Sequence, residues 1–305
     1  MGRYILSRLG QAVFTLLALS MLVFMSVHLT GDPALFLLPP EATTEDYQQL
    51  RQNLGLDRPL VVQYGEFLTK VVRGDFGNSI TTRRPAREVL FERFPATLQL
   101  GAAAMALAVL VGVPLGILSA IKRDTIYDNV AKLFATVGMA APQFWVAIMA
   151  ILLFGAILKW LPAYGRGGVD HLVLPAFVLA WSIMAGMVRL GRSSMLEILD
   201  SEFIKFARIK GLQERLVVWK HALRNALIPL LTFGGISLAG LLNGAIVVEV
   251  VFAWPGVGRL LLEGVLQRNF PIVEATVLAS GFFYIFTALV VDIQYAYADP
   301  RIRYD

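Results

Sequence analysis

The 305-residue chain is 57% hydrophobic and only 16% charged, with a mean hydropathy of +0.65. Soluble globular proteins average about 45–50% apolar and about 25% charged residues, so this composition excludes an ordinary cytosolic enzyme and indicates a polytopic membrane protein. The absence of cysteine excludes disulfides, thiolate metal sites and cysteine nucleophiles. The net charge of +5 is interpreted as a topology signal and not as nucleic-acid binding, because Lys and Arg set orientation in membrane proteins.

Six long windows of the chain lack Asp, Glu, Lys and Arg: 9–31, 94–121, 133–158, 171–188, 225–248 and 275–291. A helix of about 20 apolar residues crosses the hydrocarbon core, and a charge at its centre costs ~2.5–3.5 kcal/mol. We therefore predict an all-α membrane protein with six transmembrane helices, of which the short fourth and sixth extend into their flanks. The first window is predicted to be a retained anchor, because it exceeds the roughly 7–15 residues of a signal-peptide core.

An even number of spans places both termini on one side of the membrane. The short loops of that side carry most of the Lys and Arg residues, including those between 189 and 224. Since basic loops stay inside, both termini are predicted to be cytoplasmic.

Four regions are predicted along the chain. They are an N-terminal transmembrane helix (1–31), a small external domain (32–95), a five-helix core (96–295) and a cytoplasmic tail (296–305). Within the external domain, residues 45–54 and 61–72 are predicted to form short helices. Gly112/Gly116 and Gly240/Gly244 have the four-residue spacing that lets transmembrane helices approach closely.

The loop at 193–224, between the fourth and fifth spans, is far longer than a connection requires. Ser201 is predicted to cap a helix that Lys210 and Gly211 end, and a second helix follows from about Gln213. Its predicted apolar face is formed by Leu216, Val217, Trp219, Leu223 and Ala226. We call this helix–glycine–helix segment, residues 201–229, the elbow. The pattern alone fits either a membrane-surface helix pair or a docking element for a cytoplasmic partner.

The sequence of the elbow resembles the Glu-Ala-Ala loop of binding-protein-dependent ABC importer permeases, in the form found in the dipeptide/oligopeptide/nickel branch. The matching segments read Glu202-Phe-Ile-Lys-Phe-Ala-Arg-Ile-Lys-Gly211 and His221-Ala-Leu-Arg-Asn-Ala-Leu-Ile-Pro229. Phe203 and Ile204 replace the two alanines of the general pattern. Further matches in the same order are Thr30-Gly-Asp-Pro33, Leu54-Gly-Leu-Asp57, Gly74-Asp-Phe-Gly-Asn-Ser79, Ala141-Pro-Gln-Phe-Trp145, Trp160-Leu-Pro162, Val248-Glu-Val-Val-Phe-Ala-Trp-Pro-Gly-Val-Gly258 and Ala298-Asp-Pro-Arg301.

This resemblance implies a type I ABC importer permease fold, with residues 96–295 as the permease core. It implies that the chain is a non-catalytic subunit in the bacterial inner membrane, forming half of the pathway for a peptide-like solute. The implied partners are a second homologous permease, two cytoplasmic ATPases, an external solute-binding protein and membrane lipid. ATP and Mg would be bound by the ATPases, because the chain has no Gly-Lys dipeptide and hence no phosphate-binding loop. The residues implied to contact the ATPase are Glu202, Phe206, Ala207, Lys210, Gly211 and Leu212.

The pathway lining is less legible in the sequence. Polar residues within spans face a cavity or hydrogen-bond between helices, and both readings stay open here. Gln143, Asn243 and Glu249 are the candidates for the pathway. Trp160 and Trp254, near helix ends, are predicted to lie in the interfacial aromatic belt.

Two other classes of function were weighed. A membrane-embedded enzyme needs paired carboxylates or clustered His at bilayer depth, and the six windows contain none, so no catalytic or metal residue is predicted. A self-sufficient channel or secondary transporter is the alternative that stays open, although it leaves the long elbow unexplained. The sequence does not distinguish dipeptides, longer peptides, nickel, glutathione or sugars as the substrate.

Overall fold

The computed structural model describes residues 2–30, 43–53 and 55–298. Within these residues the chain is helical, and its only strand-like feature is an isolated bridge between Asn78 and Pro85. The helices are α1 (Gly2–Thr30), α2 (Thr44–Asn53), α3 (Leu60–Val72), α4 (Ala86–Leu107), α5 (Val113–Ile121), α6 (Ile126–Ala140), α7 (Gln143–Ala150), α8 (Val169–Leu199), α9 (Glu202–Ile209), α10 (Glu214–Leu216), α11 (Leu223–Val251), α12 (Val257–Leu266) and α13 (Phe270–Ala298). Three π-helical stretches, Ala108–Gly112, Ile151–Ile157 and Val217–Ala222, continue or join them.

Five helical segments of the described chain are long and apolar enough to cross a membrane: Ile5–Leu29, Ala86–Ile121, Val169–Leu199, Glu214–Leu241 and Phe270–Ile293. The third predicted span, at 133–158, is broken. Ile126–Ala140 and Gln143–Ile157 meet at an angle of 109°. The bend falls at Ala141-Pro142, where proline lacks the amide that would continue the helix. The short fourth and sixth windows extend into their flanks as predicted.

The described residues divide into two compact units. The first comprises Met1–Ala96 and Pro255–Leu289, and the second comprises Thr97–Trp254 and Val290–Asp305. The first residues of the predicted external domain, 32–42, and most of the predicted tail at 296–305 lie outside the described residues.

The first unit is held by two clusters. Near the start of the chain, Tyr64 on α3 hydrogen-bonds Ser20 on α1 at 2.9 Å, and its ring packs against Phe24. Farther on, the start of α4 packs with α12 and α13 through an apolar core that includes Leu90 and Ile272. The two helices predicted at 45–54 and 61–72 are observed as α2 and α3.

The second unit is organised around α8, which buries much of its length. A β-carbon on Gly116 would lie 2.8 Å from the carbonyl oxygen of Val188, and one on Gly138 would lie 2.5 Å from Ala185. These glycines therefore let α5 and α6 approach α8 at backbone distance, as predicted for the Gly112/Gly116 pair. The Gly240/Gly244 pair differs, because a β-carbon on Gly240 would meet nothing within 4 Å, whereas one on Gly244 would lie 3.5 Å from the Leu179 side chain of α8.

Candidate functional site

The first half of the elbow is the eight-residue helix α9. Ser201 precedes it in an extended conformation, but its hydroxyl donates to the carbonyl of Ile198 and makes no capping bond to α9. The helix ends as predicted. The amide of Gly211 donates to the carbonyl of Arg208 at 2.9 Å, and Gly211 takes a left-handed φ of +78°.

One side chain anchors α9 to the second unit. Ile204 is completely buried in a cluster that includes Met195 of α8, Val217 and Ala226. Ala207, one turn later, packs at the edge of the same cluster. Burying an aliphatic side chain of this size stabilises a structure by ~1.5–3 kcal/mol, which makes Ile204 the main attachment of a helix too short to be stable alone.

The opposite side of α9 and the turn after it are exposed. Phe206 is 62% exposed and Ile209 is 80% exposed, and the Lys210 ammonium lies 5.7 Å from the centre of the Phe206 ring. A β-carbon on Gly211 would meet nothing within 4 Å, so the backbone of the turn is accessible. Of the six predicted contact residues, Glu202, Phe206, Lys210, Gly211 and Leu212 lie on this exposed surface, whereas Ala207 lies on the anchored side.

Two exposed ion pairs lie on the elbow. Arg208 of α9 donates two hydrogen bonds to the Glu214 carboxylate, at 2.7 and 3.1 Å, and so joins the two sides of the turn. Lys205 donates to Glu202 at 2.7 Å. These hydrogen bonds raise the pKa of the Arg208 guanidinium and of the Lys205 ammonium above their ordinary values.

The second half of the elbow differs from the predicted apolar face. Val217 and Ala226 are buried, but Leu216 and Trp219 are largely exposed. The π-helical stretch Val217–Ala222 explains the difference, because its wider turn rotates the residues that follow relative to a regular helix. Sequence periodicity assumes 3.6 residues per turn and does not detect this change.

A cavity of about 310 Å³ with a mostly apolar wall lies within the second unit, between α7, α8 and α11. Gln143 and Ser182 line it, together with Gly240 and Gly244. The two glycines predicted to pack helices together therefore form part of the cavity wall. The cavity wall contains no ionisable side chain among the described residues that form it.

The other two pathway candidates are placed differently. The side chain of Asn243 lies outside the described residues, although its backbone belongs to α11. Glu249 is completely buried and accepts a hydrogen bond from the Thr97 hydroxyl at 2.6 Å. Glu249 does not line the cavity that contains Gln143.

The prediction that Trp254 lies in an interfacial aromatic belt is wrong, because its side chain is buried. Trp160 is exposed, but Trp254 is completely buried. The guanidinium of Arg166 lies 5.9 Å from the Trp254 ring and donates to Gln99 at 2.7 Å. Trp254 is therefore a packing residue of the second unit, and position near a helix end was a poor guide to its exposure.

Sequence reasoning missed a buried charge cluster centred on Asp128. This carboxylate is fully buried and accepts hydrogen bonds from Arg192 at 2.6 and 2.9 Å and from Ser119 at 2.6 Å. Lys132 lies 3.2 Å from it. Asp128 and Arg192 are far apart in sequence, and no local motif links them. The described residues contain no group of three or more His, Cys, Asp or Glu that could hold a metal ion.

Comparison with protein families gives two matches that together span nearly the whole chain. The model "Binding-protein-dependent transport system inner membrane component" matches residues 112–304. The model for the N-terminal region of such membrane components matches residues 1–101.

Similar proteins share the full length of the chain. The glutathione transport system permease protein GsiC of Salmonella typhi is 42% identical over 305 residues, covering 100% of both chains. A protein of Brucella abortus named as a peptide transport system permease is 38% identical over 314 residues, again with full coverage of both. Among solved structures, the inward-facing methionine ABC transporter MetNI contains a similar chain with a TM-score of 0.58. At 19% identity, that match covers 69% of this chain and 96% of the other, and it shows the fold.

Proposed function

Because the chain belongs to the family of binding-protein-dependent transport system inner membrane components, the non-catalytic permeases of ABC importers, we propose that it forms half of an ATP-driven import pathway. Its relatives place it in the peptide branch of that family. The proposed cargo is a glutathione-like or peptide-like solute, which the names of those relatives support.

The proposed importer contains a second homologous permease, two cytoplasmic ATPases that bind ATP and Mg, and an external solute-binding protein. Family membership supports these partners. Both termini are proposed to be cytoplasmic, since the basic short loops then lie inside. The elbow, which belongs to these loops, then faces the ATPases.

The observation that carries the proposal is the two-sided construction of α9. Ile204 is buried against the second unit, while Phe206 and Lys210 are exposed beside an accessible glycine turn. An exposed aromatic and an exposed cation on an anchored helix can enter a groove of another protein and transmit its movement to α8 and α11. We propose that ATPase closure acts on the bundle through this helix.

The pathway is proposed to follow the uncharged cavity of the second unit that contains Gln143. Gln143 and Ser182 supply neutral hydrogen-bonding groups there, which suits a solute that must pass without being held tightly. Asn243 and Glu249 are proposed to lie near this route on the same helix, α11.

The test compares two glycines with the same local geometry. Gly211 follows α9 with a φ of +78°, and Gly74 follows α3 with a φ of +70°. A β-carbon on either would meet nothing within 4 Å. Gly211→Trp and Gly74→Trp therefore impose similar backbone strain, of about 1–2 kcal/mol, and differ in the surface that receives the indole.

We expect Gly211→Trp to abolish co-purification of the ATPase subunits and solute-stimulated ATP hydrolysis in proteoliposomes. Gly74→Trp should retain the ATPase subunits, and both variants should reach the membrane in normal amount. If Gly211→Trp retains the ATPases and imports solute normally, the elbow is not the coupling element. If wild-type chain purifies only as a homo-oligomer without any ATPase, the channel alternative is favoured.

A further inference from the structure

A second cavity, of about 660 Å³, lies in the second unit between α6 and α8. Its polar wall is formed by Lys132, Thr136, Arg189, Arg192 and Ser193. It is separate from the neutral cavity that contains Gln143, and nothing in the proposed transport mechanism uses it. The cavity is basic, because no acidic side chain is among the described residues that line it.

The positive charges of this cavity are not equally available. Lys132 and Arg192 both contact the buried Asp128 carboxylate, which neutralises one of them. Arg189 is exposed, and its guanidinium contacts the thioether of Met139 at 3.8 Å, a weak acceptor. Arg189 forms no ion pair with a described carboxylate. An uncommitted guanidinium beside a half-neutralised pair leaves the cavity with a net attraction for an anion.

The position of Arg189 indicates the source of the anion. It is the first charged residue after the uncharged run 171–188 of α8, so it lies where that helix leaves the hydrocarbon core. Phospholipid phosphates occupy this depth of a bilayer. The rest of the wall includes Ala131, Ala135 and Val188, which offer an apolar surface to the start of an acyl chain. A soluble anion would gain nothing from that surface.

We propose that this cavity binds the phosphate of an anionic phospholipid, with Arg189 as the principal hydrogen-bond donor. The fork of the guanidinium matches two phosphate oxygens, and Lys132 and Arg192 add long-range attraction. The hydroxyls of Thr136 and Ser193 complete a polar rim. The site lies on the α6–α8 pair that carries the Asp128 cluster, so a bound lipid would brace these two helices.

The test uses the full-length chain, with any subunits that accompany it, in nanodiscs of phosphatidylcholine with increasing fractions of phosphatidylglycerol. We expect phosphatidylglycerol to raise the thermal unfolding midpoint of the wild type. Arg189→Gln should need roughly fivefold more of this lipid for half of the effect, as expected for the loss of one basic residue at an anionic surface. Native mass spectrometry should show a parallel loss of retained phosphatidylglycerol.

Arg123→Gln is the matched control. Arg123 is an exposed basic residue in the loop between α5 and α6, outside the cavity, and the substitution removes the same charge. It should respond to phosphatidylglycerol as the wild type does. In pure phosphatidylcholine, Arg189→Gln should unfold at the wild-type temperature, because Arg189 has no strong contact to lose.

Three results would overturn the proposal. If Arg189→Gln and Arg123→Gln weaken the response to phosphatidylglycerol equally, the lipid is attracted by general surface charge and not by a specific site. Protection of chain in pure phosphatidylcholine by soluble glycerol 1-phosphate, equal to that from phosphatidylglycerol, would show a site for free phosphate. An unchanged lipid response in Arg189→Gln, with loss of a co-purifying protein subunit, would show that a partner protein occupies the cavity.

Discussion

Replacing Ile204 by Ala removes the side chain that attaches α9, the proposed coupling helix, to the rest of the second unit. Ile204 is completely buried, and comparable truncations in protein cores cost ~2–5 kcal/mol. Few other interactions oppose the undocking of α9. The Arg208–Glu214 pair is exposed on both sides, and such pairs contribute about 0–1 kcal/mol. Helix α9 has eight residues, fewer than the about 12–15 that an isolated helix needs.

At the lower limit of ~2 kcal/mol, the undocked population of α9 rises about thirtyfold. Hydrogen exchange followed by mass spectrometry should detect this change. The amides of Lys210 and Gly211, which donate to Phe206 and Arg208, should exchange about thirtyfold faster in Ile204→Ala. Solute-stimulated ATP hydrolysis should fall with the same substitution, because an undocked helix transmits no movement.

Phe206→Ala is the matched control for this prediction. Phe206 is on the same helix but largely exposed, so its truncation should leave amide exchange unchanged while weakening capture of the ATPase. The reasoning fails if the amides of Lys210 and Gly211 exchange at the wild-type rate in Ile204→Ala, or if both variants raise that rate equally.

Two further predictions concern the bundle. Gly116→Val should lower the thermal unfolding midpoint in detergent, with an overpacking cost of about 1–3 kcal/mol, because its side chain meets the Val188 carbonyl. Gly240→Val, which enters open space, should leave that midpoint unchanged, and equal losses would contradict the assigned packing. Asp128→Asn should lower the unfolding free energy by about 3 kcal/mol in a denaturant titration, because it leaves the Arg192 guanidinium without its carboxylate partner. Lys132→Gln, at a half-exposed partner, should cost at most about 1 kcal/mol, and the reverse order would refute the cluster's role.

Local features of the elbow could be predicted from the sequence. Gly211 ends α9 because a left-handed residue is needed there, and glycine adopts that conformation without a steric penalty. Five of the predicted spans could likewise be located from uncharged runs, whereas the bend in the predicted span at 133–158 was not predicted. These predictions succeed because each depends on a few consecutive residues.

Features that depend on approach between distant segments could not be predicted. The Asp128–Arg192 pair requires α6 and α8 to meet, and the identical spacing of Gly112/Gly116 and Gly240/Gly244 produces a tight contact in one case and a cavity wall in the other. The exposure of Trp219 follows from a π-helical turn that no residue pattern announces. Which side of α9 is anchored also required the structure, since Ile204 and Phe206 are similarly apolar.

The division of α9 into a buried and an exposed side constrains how this region can diverge among related importers. Inserting one residue between Glu202 and Ile204 would turn the remainder of the helix by about 100°, so that Ile204 no longer pointed into the cluster that buries it. Substitutions at Phe206 or Lys210 carry no such penalty, because these side chains lie outside the core. Under the proposed function, related permeases could therefore adapt to different ATPases by substitutions on the exposed side of α9, while the length of this helix stays constant.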